Sequence, residues 1–310
     1  MAVAGNRMRA FAVEVERQPG VLLKFSNSSF PKARRGSIFV GAGDSFSAAM
    51  AGFYASNGSC IATDPYHLAS TPEIAKGVDV FLISVSGRTA SNLAAAMKVR
   101  TLARRTIAIT SDEGSRLAGL VDEVVRLPMR YSLRTPGLLS YSLSLLAVLN
   151  IAGRGVKCDF EGAFRAARRD EGNIRWGEGT TYFLGNSLAY PVSMYAAAKT
   201  YEFIGVKAHP QLLEEFSHLE LFSLGPSDVV NVFSAFDPLG TSDRLAKALA
   251  HQGYESHAVP SRGGSETERL FHAVFACQLS VLRRAGELRL SKPNFLAAAG
   301  RLAVSDSMIY

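Results

Sequence analysis

The run Phe81 to Lys98, FLISVSGRTASNLAAAMK, decides how the rest of the chain is read. Val78 to Ile83 is largely apolar and β-branched, as a buried central parallel strand is. Ser84, Ser86, Gly87 and Thr89 follow at once, and Ala90 to Met97 favours helix. Gly87 permits a tight turn and the close approach of a ligand. The free N–H groups of a helix start carry partial positive charge and suit a phosphate. The hydroxyls of Ser84, Ser86 and Thr89 add donors for the same anion. An ordinary strand-to-helix turn capped by Ser and Thr uses the same residues, so the stretch alone leaves both readings open.

Outward from it, the same alternation recurs. Ser37 to Val40 is a short apolar strand that enters Gly41-Ala42-Gly43-Asp44-Ser45 and a small-residue helix, Phe46 to Ala55. Cys60 to Thr63, Thr106 to Thr110 and, more weakly, Glu123 to Leu127 read as further strands. Arg9 to Phe25 leads in as an amphipathic helix weakened by Pro19-Gly20, and Pro136 to Asn150 closes this half as a helix. After a break at Gly153 to Gly155 and a linking helix, Phe160 to Arg175, the pattern restarts. A strand at Thr181 to Leu184 enters Gly185-Asn186-Ser187 and a helix, Tyr190 to Phe203. A strand at Asp228 to Ser234 precedes a helix to Gln252, a short strand ends at His257 to Pro260, and Glu266 to Arg284 is a long helix. The pattern predicts an α/β protein of two tandem doubly wound parallel-sheet domains, 1–153 and 154–310, offset by roughly 145 residues.

In such sheets ligands bind beyond the carboxyl ends of the strands. The Gly41–Ser45 and Ser84–Thr89 turns both lie there, so Gly43, Ser45, Ser84, Ser86, Gly87 and Thr89 are the expected anion-binding residues. In the second copy bulky Phe236 stands where the first has Ser86. Anion binding is therefore assigned to the first copy and chemistry to the second.

Composition narrows the class. The 310 residues are 47% hydrophobic and 20% charged, as in a soluble globular protein. Cys60, Cys158 and Cys277 lie far apart, which points to reduced thiols and a cytoplasmic setting. No secretory leader is evident, and the apolar stretch Leu138 to Ala152 is too short to span a membrane. The net charge of +7 favours anionic partners. The basic residues come as scattered pairs such as Arg34-Arg35 and Arg104-Arg105, without interleaved aromatics. A small anionic substrate is expected, not nucleic acid. The histidines show no metal-ligand spacing, so no metal is expected. Gly41 to Phe46, with Asp64 about twenty residues on, has the outline of a dinucleotide site. Phe46 fills the position where close helix–strand packing wants no side chain, which argues against it.

With these motifs in view, the chain resembles proteins with two sugar isomerase (SIS) domains, such as archaeal phosphoglucose/phosphomannose isomerases and the isomerase half of glucosamine-6-phosphate synthase. The resemblance rests on Gly41-Ala-Gly-Asp-Ser45, Ser84-Val-Ser-Gly-Arg-Thr89, Lys199-Thr-Tyr-Glu202, Glu214-Glu-Phe-Ser-His218 and Lys292-Pro-Asn-Phe-Leu296. It implies a homodimer that binds a phosphosugar and needs no cofactor. It implies that Ser45, Ser84, Ser86 and Thr89 hold the phosphate. Glu202 matches the glutamate that moves a proton between C1 and C2. His218 matches the histidine that helps open the ring, in its own subunit or across the dimer. Arg134 sits where an arginine steadies the enediolate. On the residues alone a surface glutamate beside Lys199 is the commoner case for Glu202, and Lys292 either reaches the substrate or caps the last helix. The implied reaction is aldose–ketose isomerisation of glucose 6-phosphate and fructose 6-phosphate, with mannose 6-phosphate as a further substrate. Deamination of glucosamine 6-phosphate and non-catalytic phosphosugar sensing are the alternatives. Ammonia-donating synthesis is not expected, since no glutaminase segment precedes the repeats and Ala stands where the synthases carry their C-terminal lysine.

Overall fold

The computed structural model describes residues 2–130 and 136–310. Among them two parallel sheets form, each in its own compact unit. The first unit is Val21–Val156 with Ala299–Tyr310, and the second is Met1–Gly20 with Lys157–Ala298. These are not the contiguous halves 1–153 and 154–310. The leading helix is two helices, α1 (Ala2–Glu16) and α2 (Gln18–Ser26). Pro19 lies in the first turn of α2, where its missing N–H costs no intrahelical bond. Helix α1 and the start of α2 belong to the second unit because their partners are there. Phe11 meets the Phe203 ring edge-on at 5.6 Å, Glu16 pairs with Arg168, and Gln18 Nε2 donates to Gln278 Oε1 at 2.7 Å. Such distant pairings leave no mark in local sequence.

In the first unit the elements run β1 (Ile38–Gly41), α3 (Asp44–Ala55), β2 (Ile61–Thr63), α4 (Pro65–Ser70), β3 (Asp79–Ile83), α5 (Ala90–Val99), β4 (Arg105–Thr110), β5 (Glu123–Arg126) and α6 (Leu139–Ile151). The strand order is β2-β1-β3-β4-β5, all parallel, with Ile38 opposite both Ile61 and Val80. β1 and β3 are buried throughout, which is why they are apolar except for Asp79 at the start of β3, which pairs with Arg104 and Arg105. The Phe39 and Phe81 rings stack at 5.2 Å. Gly52 lets α3 lie close: a Cβ there would come within 2.6 Å of the Phe39 ring and 2.9 Å of Val148. Helix α6 is buried on nearly every side, so its sequence is apolar all round without being a membrane span.

The second unit runs α7 (Phe160–Asp170), β6 (Thr181–Leu184), α8 (Ala189–Phe203), β7 (Ala208–Gln211), α9 (Leu213–His218), β8 (Val229–Phe233), α10 (Thr241–His251), β9 (Glu255–Val259) and α11 (Glu266–Glu287). Its order, β7-β6-β8-β9, repeats that of the first sheet without the last strand. Strand β7, AHPQ, has no apolar run and carries Pro210, which an edge strand tolerates. The sequence pattern did not mark it. The chain ends in α12 (Ala299–Ile309), which buries none of its residues.

Candidate functional site

In each sheet the chain leaves the middle in opposite directions, creating a crevice between β1 and β3 in one and between β6 and β8 in the other. Open α/β sheets bind ligands at that switch point. The first crevice is built by two turns. Gly41 has no room for a side chain, because a Cβ would lie 2.3 Å from the Ser45 carbonyl oxygen. Gly43 takes φ +58° at the N-cap of α3, and no side chain caps that helix start. The second turn is bolted down from behind. Ser111 Oγ (2.8 Å) and Thr110 Oγ1 (3.1 Å) both donate to the Val85 carbonyl. Leu117 N–H donates to the Gly87 carbonyl at 3.0 Å. Gly87 sits at φ +59°, and a Cβ would collide with Ser115 Oγ at 2.2 Å.

The hydroxyls that face this turn are close together. Ser84 Oγ and Thr89 Oγ1 are 3.3 Å apart, and Arg88 N–H donates to Ser86 Oγ at 3.3 Å. Ser84 and Ser86 are buried, while Thr89 occupies the N-cap of α5 without a side-chain capping bond. The start of α5 is thus ringed by hydroxyls that do not satisfy it, which is what an external anion needs. Asn92, in the first turn of α5, is buried with its Oδ1 lacking any partner among the described residues. Its polar side chain on a buried face is a cue that sequence reasoning passed over. The Asp64 carboxylate accepts from His67 N–H at 3.0 Å as the cap of α4. It is committed to the fold and not held out for a ribose.

The second crevice has the same skeleton and different chemistry. Gly185 repeats the part of Gly41, since a Cβ would lie 2.7 Å from the Ala189 carbonyl oxygen. After β8, Phe236 adopts φ +62° and lies under the Arg269 guanidinium at 5.9 Å. The next residue, Asp237, accepts from Thr241 Oγ1 at 2.9 Å and from Ser242 N–H at 2.5 Å. The start of α10 therefore holds a carboxylate from its own chain. Burial pushes that carboxyl up, but the bonds from Ser242 and Thr241 outweigh it and hold it below the usual carboxylate range.

Glu202 lies near the end of α8, partly exposed, and pairs with Lys199 one turn earlier. Lys199 is itself fully buried, with its Nζ 5.2 Å from the centroid of the Tyr195 ring. The sequence alone leaves Glu202 open between a site carboxylate and a surface glutamate beside Lys199. The structure supplies a buried ammonium beside it, so burying charge here is compensated by pairing. Tyr195 Oη accepts from Gln278, which accepts from Gln18, so a buried polar chain runs from the start of α2 to Lys199. The segment carrying Lys292 docks on this helix end: Asn294 Nδ2 donates to the Tyr201 carbonyl at 3.1 Å, and Gly205 at φ +72° leaves the space it fills. Lys292 is exposed. His218 is 71% exposed on α9, and among the described residues its side chain bonds only to Glu214, at 3.3 Å. Arg134 lies outside the described residues. Among the described residues no group of three or more His, Cys, Asp or Glu side chains gathers in a form that could hold a metal.

No family model matches the sequence, and no curated protein does. Solved structures do match. The glucosamine-6-phosphate deaminase of Thermotoga maritima aligns at TM-score 0.75 and 22% identity, over 92% of this chain and 97% of that one. The C-terminal domain of glucosamine-fructose-6-phosphate aminotransferase from Francisella tularensis aligns at TM-score 0.70 and 16% identity, over 89% and 95%. The tagatose-6-phosphate ketose/aldose isomerase of Escherichia coli aligns at TM-score 0.64 and 17% identity, over 92% and 89%. At these identities the likeness establishes the fold: tandem doubly wound units of the kind these phosphosugar enzymes share.

Proposed function

We propose that the chain binds a six-carbon sugar phosphate through the Ser84–Thr89 turn and interconverts its aldose and ketose forms by moving a proton between C1 and C2. The observation that carries this is the start of α5, where hydroxyls gather and no side chain caps the helix. Charge supports it. The first unit holds 16 Lys/Arg and 9 Asp/Glu and the second 18 of each, together the 34 and 27 of the chain. The whole net charge of +7 thus belongs to the unit with the serine turn, and a positive field draws anionic substrates.

A phosphate held far from the reacting carbons supplies positioning energy for the other end. Glu202 is the proposed base, taking the C2 proton of the open-chain aldose and returning it at C1, while His218 is the proposed ring-opening group. Arg134 would steady the enediolate and Lys292 would reach the substrate. A homodimer, glucose 6-phosphate as first substrate and mannose 6-phosphate as a further one belong to the same proposal. The likeness to a glucosamine-6-phosphate deaminase favours a second reading, deamination, which shares the ring opening and the proton shift. Assays on fructose 6-phosphate and on glucosamine 6-phosphate separate the two. Binding of both without turnover of either would leave a sensor in place of an enzyme.

A further inference from the structure

The second unit has a switch point of its own, between β6 and β8. A cavity of about 260 Å³ opens there, lined by Asn186 from the turn after β6, by Leu213, Glu214 and Ser217 of α9, and by the α10 face that includes Thr241 and Arg244. It lies where the fold reserves room for a ligand. Its size falls just under the roughly 300–1,000 Å³ of drug-sized pockets, which suits a small metabolite.

Ser217 Oγ donates to the Leu213 carbonyl at 2.8 Å, but the two charged side chains lining the cavity, Arg244 and Glu214, do not pair with each other. The exposed Arg244 side chain makes no hydrogen bond or ion pair with any described residue, although Glu214 lines the same cavity. Among the described residues the Glu214 side chain bonds only to His218, and both side chains are exposed. Asn186 accepts from Leu213 N–H at 3.3 Å, which fixes the carboxamide and leaves its NH2 group without an acceptor among the described residues. Opposite charges that share a cavity without closing on each other leave space for a molecule that bridges them. A bare phosphate is disfavoured, because Asp237 already brings a carboxylate to the start of α10 through Thr241 and Ser242.

We propose that this cavity is a second ligand site that takes a small zwitterion, its anionic group on Arg244 and Asn186 and its ammonium on Glu214. The site stands apart from the serine turn and does not depend on the catalytic reading. A ligand ammonium competes with His218 for Glu214, so occupancy releases that histidine.

Calorimetric titration of the full chain tests this, with glucosamine 6-phosphate and L-serine as zwitterionic probes and fructose 6-phosphate as the probe without an amine. Arg244→Ala and Glu214→Gln are each expected to weaken one zwitterion-binding event by about tenfold or more, and Ser86→Ala to leave that event in place. Arg244 is exposed on α10, so unchanged melting of Arg244→Ala shows that the effect is local. Whichever zwitterion binds, phosphosugar or amino acid, identifies the source. The proposal is overturned if neither probe shows a binding event sensitive to Arg244→Ala. Fructose 6-phosphate filling the same site as tightly as glucosamine 6-phosphate would overturn it as well. Loss of every binding event on Ser86→Ala would also overturn it, by reducing the molecule to the one anion site. Survival of every event on Ser86→Ala would instead count against the serine turn.

Discussion

The turns Ser84–Thr89 and Ser234–Thr241 occupy the same place in two sheets whose shared strands run in the same order, yet they meet the helix that follows in different ways. The first leaves the start of its helix uncapped among hydroxyls, with Gly87 drawn against Ser115. The second places Asp237 on the start of α10 and packs Phe236 beside it. A helix N-terminus needs an anion or an acceptor. One repeat supplies it from its own sequence, while the N-cap residue of α5, Thr89, makes no side-chain capping bond. The whole net charge of +7 follows the same division, since the unit with the open turn carries all of it.

The comparison can be broken or sharpened by substitution. The largest effect is expected from Glu202→Gln, which should lower kcat by about 10²–10⁴ while phosphosugar binding persists. Full turnover in that variant would remove Glu202 as the base and leave only the anion-binding half of the contrast. Gly87→Ala comes next. Its Cβ meets Ser115 in a left-handed backbone, at a cost of about 2–4 kcal/mol, so phosphosugar protection in thermal melts should disappear.

Ser86→Ala should raise the apparent Kd for fructose 6-phosphate roughly tenfold with little change in kcat. An unchanged Kd would make the turn structural, like its counterpart. Asp237→Ala removes the built-in acceptor and should cost about 1 kcal/mol in chemical denaturation. Part of that loss should return in inorganic phosphate, which takes the vacated place. The smallest effect is one of pH. The folded-state pKa of Asp237 is depressed, so its contribution is complete above the unfolded value and is lost as pH falls through the folded one. The stability gap between the native chain and Asp237→Asn should therefore hold at pH 7 and close below about pH 4.

Much of this was legible locally. The buried strands β1, β3, β6 and β8 announce themselves as apolar runs because both faces of a parallel sheet are covered. The glycines at 41 and 87 announce the turns because no other residue fits there. Phe236 in place of Ser86 marked the difference between the copies, although the sequence did not reveal that Asp237 beside it would serve as the resident anion. Strand β7 escaped notice because an edge strand with Pro210 has no apolar signature. The pairing of Glu202 with a buried Lys199 escaped too, since a lysine one turn away reads as surface until its burial is seen.

The residues in order were enough to determine the repeated α/β alternation, the two switch points and the hydroxyl-rich turn. Each of these is set by periodicity, backbone freedom and side-chain chemistry within a few positions. The tertiary structure alone decided that the first twenty residues group with the second sheet, that Asp237 caps α10, and that Arg244 and Glu214 line one cavity without pairing. These facts rest on contacts between distant segments or on the folding back of a turn, and free energy gained at such contacts leaves no periodic trace in the chain.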